Sequence, residues 1–134
     1  MTDEERQTLI ARAMAVRQWA YAPYSHYHVG AALLASSGRF YDGCNVENAA
    51  YGSSICAERT ALVKAVSEGE RQFEAVAVVT GNGGSPCGSC RQMLAEFGLD
   101  LKVLLLSGEG TVVLETTLRD LLPDAFTPES LRRD

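Results

Sequence analysis

Three cysteines, divided between two distant segments, constrain the fold of this chain more than any other feature. Cys56 stands alone, whereas Cys87 and Cys90 form a Cys-x-x-Cys pair that follows a proline. Such a pair can hold one metal ion from a single turn of backbone, and a third thiolate from elsewhere completes three protein ligands. A fold that uses all three must bring the segment around Cys56 beside the pair.

Three ligands make a half-open site. A structural zinc site normally has four protein ligands, and no histidine or further cysteine lies near either segment. The sequence therefore predicts that the fourth position is left to water, so that zinc-bound hydroxide supplies the nucleophile near neutral pH. Glu58 follows Cys56 by two residues and is predicted to carry protons without ligating the metal.

The spacing matches the signature of the zinc deaminases, which is His or Cys, any residue and Glu, followed later by Pro-Cys-x-x-Cys. An isolated Cys-x-x-Cys pair has alternatives, namely a redox pair, a structural zinc knuckle or two buried thiols. For Glu58 the alternative is a routine helix-capping role. The upstream Cys-Ala-Glu and Pro86 favour a catalytic zinc. Cys44 lies in an apolar run and is predicted to be a core thiol.

Length and composition predict one soluble domain over residues 1–134. The chain is 46% hydrophobic, yet it has no apolar run long enough to cross a membrane. Its acidic start lacks the basic and apolar regions of a secretory signal. Because the four cysteines fit a metal set better than two disulfides, we expect a cytoplasmic protein.

The charge distribution argues against a nucleic-acid partner. The net charge is −5 and the basic residues are scattered along the chain. Enzymes that edit bases inside a nucleic acid need a basic channel to hold the strand, and no such stripe is visible. A small free nucleoside or base is the expected substrate.

The hydrophobic pattern predicts an α/β fold, with a single mixed sheet of about five strands and helices on both faces. In this layout Cys56 and Glu58 lie at one helix N-terminus, and Cys87 and Cys90 lie at another, where the helix dipole stabilises thiolates. Helices are predicted over about 3–19, 56–67 and 88–97, strands over 29–35, 39–44, 75–79, 103–106 and 112–114, and a mostly helical tail from 117 onward.

Two arginines directly follow motif residues. Three thiolates around one Zn²⁺ leave a formal charge of −1, and Arg59 and Arg91 are candidates to offset it by donating to the ligand sulfurs. The alternative is that both are ordinary surface arginines.

Four segments, taken in order, resemble those of the small cytidine deaminases. The resemblance extends from about residue 21 to residues 121–126, which is most of the chain. Its segments are PYSHYHVGAAL at 23–33, GCNVENA at 43–49, CAERTA at 56–61 and PCGSCRQ at 86–92.

This resemblance implies a three-layer α/β/α fold and the hydrolytic deamination of cytidine and 2′-deoxycytidine to uridine and 2′-deoxyuridine. Ammonia is released, and the reaction belongs to pyrimidine salvage. It further implies a homotetramer with one zinc ion per subunit and with sites shared between subunits.

The resemblance also implies roles for individual residues. Asn45 and Glu47 would hydrogen-bond the ribose hydroxyl, and the Ala57 backbone would contact the pyrimidine. Tyr27 would pack on the base, Tyr51 would contact the substrate, and Phe126 would reach a neighbouring subunit's site.

The family usually has phenylalanine at the position of Tyr27, and the added hydroxyl needs a partner if it is buried. His26 and His28 lie outside any metal-ligand context and are assigned no chemistry.

Two other functions stay open. A deaminase of a cytosine-containing antibiotic such as blasticidin S shares the zinc motif, although the ribose segment from Asn45 to Asn48 argues against it. In a non-catalytic zinc protein the metal would only hold the fold, and Glu58→Gln would change nothing.

Overall fold

One five-stranded sheet organises the chain, and the computed structural model describes residues 1–132 of it. The strands are β1 (Gly30–Ala35), β2 (Phe40–Cys44), β3 (Phe73–Val79), β4 (Lys102–Leu106) and β5 (Val112–Thr117). The α-helices are α1 (Asp3–Val16), α2 (Ala57–Ser67), α3 (Gly88–Ala95) and α4 (Leu118–Leu121). Short 3-10 turns cover Arg17–Trp19, Tyr51–Ser53 and Pro128–Leu131.

The sheet is mixed, with the strand order β2-β1-β3-β4-β5. β1 pairs antiparallel with both β2 and β3, and β4 pairs antiparallel with β5. The β3–β4 pair is parallel, so the chain must cross over between them, and α3 lies in that connection. The predicted mixed sheet of about five strands is confirmed.

Side chains alternate between the two faces of the central strands, as the period of two in a strand requires. Leu9 and Ala13 of α1 pack with Ala77 and Leu104 on one face. The other face buries α2, α3 and α4 against the intervening strand positions, which include Val76, Val78, Val103 and Leu105. Helices therefore cover both faces, as predicted, and the long apolar runs of β3 and β4 reflect burial on both sides.

The fit of α2 against the sheet depends on Gly43 of β2. A Cβ atom at Gly43 would lie 2.7 Å from the backbone nitrogen of Ala61 and 2.8 Å from the Thr60 side chain. Real Cβ contacts are not that short, so a larger residue would push α2 away from the sheet. Because α2 begins just after Cys56, this close contact also sets where the first cysteine lies.

Both cysteine segments do lie at helix starts. Cys56 is the N-cap residue of α2, Cys87 is the N-cap residue of α3, and Cys90 lies in the first turn of α3. The first predicted helix is confirmed as α1, which starts with a capping box between Thr2 and Glu5 and continues as a 3-10 turn to Trp19.

The prediction of a mostly helical tail is wrong. After the four-residue α4, residues 122–127 are irregular and are followed by the 3-10 turn. Pro123 cannot continue a helix, and Asp124 has a left-handed φ of 51°. Residues 133 and 134 of the predicted tail and domain lie outside the described residues. Within residues 1–132, none of the helices combines the length and the apolar character needed to cross a bilayer.

Candidate active site

The three predicted cysteines converge. Their sulfur atoms all lie within 4.8 Å of one another, with 3.9 Å between the Sγ atoms of Cys56 and Cys87 and 3.4 Å between those of Cys87 and Cys90. Tetrahedral zinc with Zn–S bonds of about 2.3 Å places its sulfurs roughly 3.8 Å apart. All three are free thiols, and Cys44 lies outside the cluster. The donor set and its spacing therefore fit a zinc ion.

The three thiols influence one another's protonation. Hydrogen bonding from Cys90, helped by Cys87 and Arg59, outweighs burial and lowers the pKa of Cys56 to about 5. The same contact with Cys56, together with burial and the charge of Glu58, raises the pKa of the Cys90 thiol. The cluster therefore gives up its first proton readily at Cys56, and a thiolate is the form that binds metal.

Glu58 is buried beside this cluster. It lies in the first turn of α2, its side chain is 4% exposed, and it lines the same cavity as Cys56 and Cys87. Burial raises the pKa of its carboxyl group, and the charge of Cys56 adds to the shift. Because Glu58 is the second residue of α2 and a capping box uses the third, the capping role considered for it does not apply.

Arg59 lies against the Cys56 sulfur. Its Nη2 donates to the Ser54 carbonyl at 3.3 Å, whereas its buried Nε has no hydrogen-bond partner. Burial works against the charged guanidinium, but its interaction with Cys56 and the charges of the cluster raise its pKa. The guanidinium is thus placed where it can offset thiolate charge.

Arg91 neither donates to a ligand sulfur nor is an ordinary surface arginine, which were the two alternatives considered for it. Its Nε donates to the Pro86 carbonyl at 2.8 Å, its Nη1 to the Leu121 carbonyl at 2.6 Å, and its Nη2 to the Ser85 hydroxyl at 2.8 Å. Its partners are two backbone carbonyls and one hydroxyl, and none of them is a ligand sulfur. Arg91 therefore braces the turn that leads to Cys87 against the end of α4.

A cavity of about 330 Å³ opens beside the cluster. Its volume suits a small ligand, and its lining within the described chain includes no lysine, arginine or histidine. Eight of the predicted site residues line it, namely Tyr27, Asn45, Glu47, Tyr51, Cys56, Ala57, Glu58 and Cys87. Of the other three, Cys90 is buried in the cluster, Arg59 lies behind Cys56, and Phe126 lies away from this cavity.

Two buried polar side chains are held firmly at one part of the cavity. Asn45 accepts from the Val29 amide at 2.9 Å and donates to the Tyr27 carbonyl at 2.8 Å. One Glu47 oxygen accepts from the Tyr24 and Ser25 amides at 3.0 Å each, and the other accepts from the Ser25 hydroxyl. The Ser25 hydroxyl is the main cause of the lowered Glu47 pKa.

These bonds leave part of the hydrogen-bonding capacity of both cavity-lining side chains unused. A side-chain amide has two N–H donors and a carboxylate has about four acceptor sites. Asn45 therefore keeps one N–H, and Glu47 keeps one acceptor site, for a ligand.

The aromatic residues have separate positions. The Tyr27 hydroxyl donates to the side-chain oxygen of Asn82 at 3.0 Å, which supplies the partner that this hydroxyl needs. Tyr51 is exposed and meets Tyr24 edge to face, with ring centroids 6.5 Å apart. Phe126 is exposed, and its carbonyl accepts from the Gln92 side chain at 2.7 Å.

Several residues at the site were not among the predicted ones. Ser25 donates to Glu47 and lines the cavity. Thr80 and Gly84, from the loop after β3, also line the cavity. Ser25 lies inside a segment that carried the resemblance, so its position was a usable signal. Thr80, Asn82 and Gly84 have only the appearance of a glycine-rich turn in the sequence.

Comparison with known proteins agrees with this geometry. The family model described as the cytidine and deoxycytidylate deaminase zinc-binding region matches residues 3–106. A cytidine deaminase of Sporosarcina psychrophila is 52% identical over 128 residues, which cover 93% of this chain and 93% of that protein. A cytidine deaminase of Halalkalibacterium halodurans is 50% identical over 130 residues, covering 95% and 98%.

A solved structure supports the same assignment. The crystal structure of cytidine deaminase from Burkholderia pseudomallei superposes with a TM-score of 0.86 at 49% identity, covering 94% of this chain and all of that one. Sequence, fold and the cysteine cluster agree, and the chain belongs to the cytidine and deoxycytidylate deaminase family.

Proposed function

We propose that this chain catalyses the hydrolytic deamination of cytidine and 2′-deoxycytidine to uridine and 2′-deoxyuridine, with release of ammonia. The observation that carries the proposal is the buried Glu58 carboxyl, which lines a ligand-sized cavity beside three cysteines whose spacing fits zinc. Cys56, Cys87 and Cys90 would hold one zinc ion per subunit. When bound, zinc supplies the chemistry of a water molecule made acidic enough to act as a nucleophile.

Glu58 moves the protons. It accepts a proton from the attacking water and passes it to the ring nitrogen of the pyrimidine. A carbon–oxygen bond forms at the carbon that carries the amine, and the carbon–nitrogen bond then breaks. A second proton goes through Glu58 to the departing amine, which leaves as ammonia. Burial suits both roles because it raises the pKa of the carboxyl group, which makes the group easier to protonate.

The sugar end of the cavity favours a nucleoside over a free base. Asn45 and Glu47 are buried; Asn45 keeps one N–H donor, and Glu47 keeps one acceptor site, for a ribose hydroxyl. Free cytosine would leave these positions unpaired, which a buried polar group tolerates poorly. The backbone N–H of Ala57, in the first turn of α2, is free of helix bonding and suits the pyrimidine ring.

The charge of the cavity favours an uncharged nucleoside over a nucleotide. Among the described lining residues no side chain is cationic, and Glu47 carries a negative charge. A 5′-phosphate would therefore find repulsion rather than a partner. On this ground we favour cytidine over deoxycytidylate as the substrate.

We place Tyr27 on the base, Tyr51 on the substrate and Phe126 in the site of a neighbouring subunit of a homotetramer. The Phe126 side chain is exposed and is not among the residues that line this cavity. Tyr21, Val46 and Ile55 are joined by successive β-bridges and form a half-exposed apolar row, which suits burial by another subunit. A cytoplasmic enzyme of pyrimidine salvage fits the free thiols, which need reducing conditions.

The experiment compares cytidine with cytosine, cytidine monophosphate and blasticidin S, measuring ammonia release and the ultraviolet change before and after zinc removal by a chelator. We expect zinc-dependent turnover of cytidine, and much weaker turnover of the other three. Preferred turnover of blasticidin S would support the antibiotic deaminase instead. A zinc-loaded protein that turns over none of them would support a structural zinc.

A further inference from the structure

A hydrogen bond joins the two loops that line the cavity. Tyr27 lies in the loop before β1, and Asn82 lies in the loop between β3 and α3 that ends at Cys87. The Tyr27 hydroxyl donates to the Asn82 side-chain oxygen at 3.0 Å, across 55 positions of sequence. Tyr27 is 43% exposed, so its ring is only partly held by packing.

The Asn82 oxygen belongs to a short chain of hydrogen bonds. It lies 3.2 Å from the Thr80 hydroxyl and 3.1 Å from the Gly84 amide. The Gly84 amide lies closer to the Thr80 hydroxyl, at 2.7 Å, than to the Asn82 oxygen. The Asn82 oxygen has two lone pairs and so accepts two strong hydrogen bonds. The consistent arrangement has Gly84 donating to Thr80, and both Thr80 and Tyr27 donating to Asn82.

This chain of bonds is anchored in the sheet. Thr80 is 3% exposed and directly follows β3, and its amide donates to the Leu106 carbonyl at 3.1 Å. The hydroxyl of Tyr27 is therefore fixed to the end of the central strand. The rest of Tyr27 is fixed through its backbone, whose amide donates to the Ser25 hydroxyl at 3.0 Å and whose carbonyl accepts from Asn45 at 2.8 Å.

The loop leaves space for the hydroxyl because residue 84 is glycine. A Cβ atom at Gly84 would lie 2.5 Å from the Tyr27 hydroxyl oxygen. Any larger residue there would displace the tyrosine. The tyrosine, the asparagine and the glycine thus act together, and a phenylalanine at position 27 would lose the bond while keeping the ring.

We propose that the Tyr27–Asn82 hydrogen bond is a latch that positions the aromatic wall of the cavity and tightens nucleoside binding. The inference rests on the proposed function. The latch holds the ring where a pyrimidine would pack and ties it to the loop that carries Cys87. It does not touch the reacting atoms, so Tyr27 and Asn82 are positioning residues in this respect.

The latch acts equally on the bound substrate and on the transition state. Interactions of that kind lower KM and leave kcat unchanged. A net hydrogen bond in a protein corresponds to roughly a 2- to 10-fold change in an equilibrium constant. We therefore expect Tyr27→Phe to raise the KM for cytidine by roughly 2- to 10-fold with little change in kcat.

A double-mutant cycle tests the latch, using Tyr27→Phe, Asn82→Ala and the double variant. If the latch exists, each single variant raises KM and the double variant raises it little further than Asn82→Ala alone. Tyr41→Phe is the matched control, because it removes a tyrosine hydroxyl bonded to Glu70 at 2.7 Å, away from the cavity lining. The control should lower stability and leave KM at the wild-type value. Unchanged KM in Tyr27→Phe, or additive effects in the cycle, would overturn the proposal.

Amide hydrogen exchange separates this inference from the proposed function. Loss of the latch should speed exchange at the Gly84 amide in Tyr27→Phe and leave it unchanged in Tyr41→Phe. If the wild type fails to deaminate cytidine but exchange at Gly84 responds in this way, the function is wrong and the latch remains. Equal exchange in Tyr27→Phe and in the wild type would refute the latch itself.

Discussion

Replacing Arg91 by alanine should weaken both the fold and the hold on zinc. The guanidinium joins three acceptors, which are the Pro86 carbonyl, the Leu121 carbonyl and the Ser85 hydroxyl, at 2.6 to 2.8 Å. These bonds tie the turn before Cys87 to the end of α4. Alanine removes all three and leaves the acceptors to be solvated where water can reach them.

The magnitude follows from the burial of the acceptors. Pro86 is buried, Leu121 is half-buried and Ser85 is exposed, so water can replace the bond at Ser85 but not the bond at Pro86. A buried acceptor left without a partner costs about 1–3 kcal/mol, and the exposed one costs little. We therefore expect Arg91→Ala to lower the free energy of unfolding by about 2–3 kcal/mol.

Zinc binding should weaken as well. Cys87 directly follows Pro86, so the brace fixes the backbone of one ligand relative to the others. Loss of groups that orient metal ligands typically costs about 10- to 100-fold in affinity. The lower end applies here, because Arg91 contacts the backbone beside the ligand rather than the sulfur.

Two measurements check this expectation: urea unfolding of the zinc-loaded protein, and zinc competition against a colorimetric chelator. Arg71→Ala is the control, because Arg71 also donates to two backbone carbonyls, those of Val66 and Glu70, but lies on an exposed surface. The control should keep wild-type zinc affinity. An Arg91→Ala protein with unchanged zinc affinity and an unfolding free energy within about 0.5 kcal/mol of the wild type would refute the reasoning.

Three further predictions concern other parts of the molecule. Asn45→Ala leaves the Val29 amide and the Tyr27 carbonyl without their partner. It should therefore lower the free energy of unfolding in urea by about 2–3 kcal/mol and also raise the KM for cytidine. A raised KM with unchanged stability would mean that the two backbone groups bond to other partners. Leu62→Ala leaves a cavity at a fully buried position of α2 and should lower the free energy of unfolding by about 2–5 kcal/mol. A decrease below about 1 kcal/mol would show that the neighbouring side chains fill the cavity. The pKa of Glu70 is lowered, first by the Ser37 hydroxyl and then by that of Tyr41, so its stabilising contribution is present above the unfolded pKa of about 4.3 and is lost as pH falls through the lower folded value. Glu70→Gln should therefore narrow its stability difference from the wild type as unfolding is measured from pH 6 down to pH 3, and a constant difference would contradict the assignment.

The sequence was sufficient for the parts of the site whose chemistry is local. Cys56 with Glu58, and Cys87 with Cys90, each lie within one helix start, and the structure brings the three sulfurs together as predicted. The central strands were also predictable, because runs such as residues 75–79 are short, apolar and rich in valine, which favours a buried strand over a helix.

The parts that were not predicted depend on contacts between distant residues. β5 continues to Thr117 because residues 115–117 pair with β4, although the apolar pattern ends earlier. Arg91 donates to the carbonyl of Leu121, which lies 30 positions away in the sequence, and Tyr27 donates to Asn82, which lies 55 positions away. The prediction of a helical tail was wrong for a local reason, because Pro123 and the left-handed Asp124 end the helix.

The most direct test of the proposed function is cytidine turnover by Glu58→Gln, measured with its zinc content and its fold. Glutamine keeps the shape of the side chain but cannot accept and return a proton, and positioned acid–base catalysis is worth about 10²–10⁴-fold. Because Glu58 serves both proton transfers, we predict a folded protein with a full complement of zinc and with turnover lowered by at least about 10³-fold. Turnover near the wild-type rate would contradict the central claim that Glu58 carries the protons.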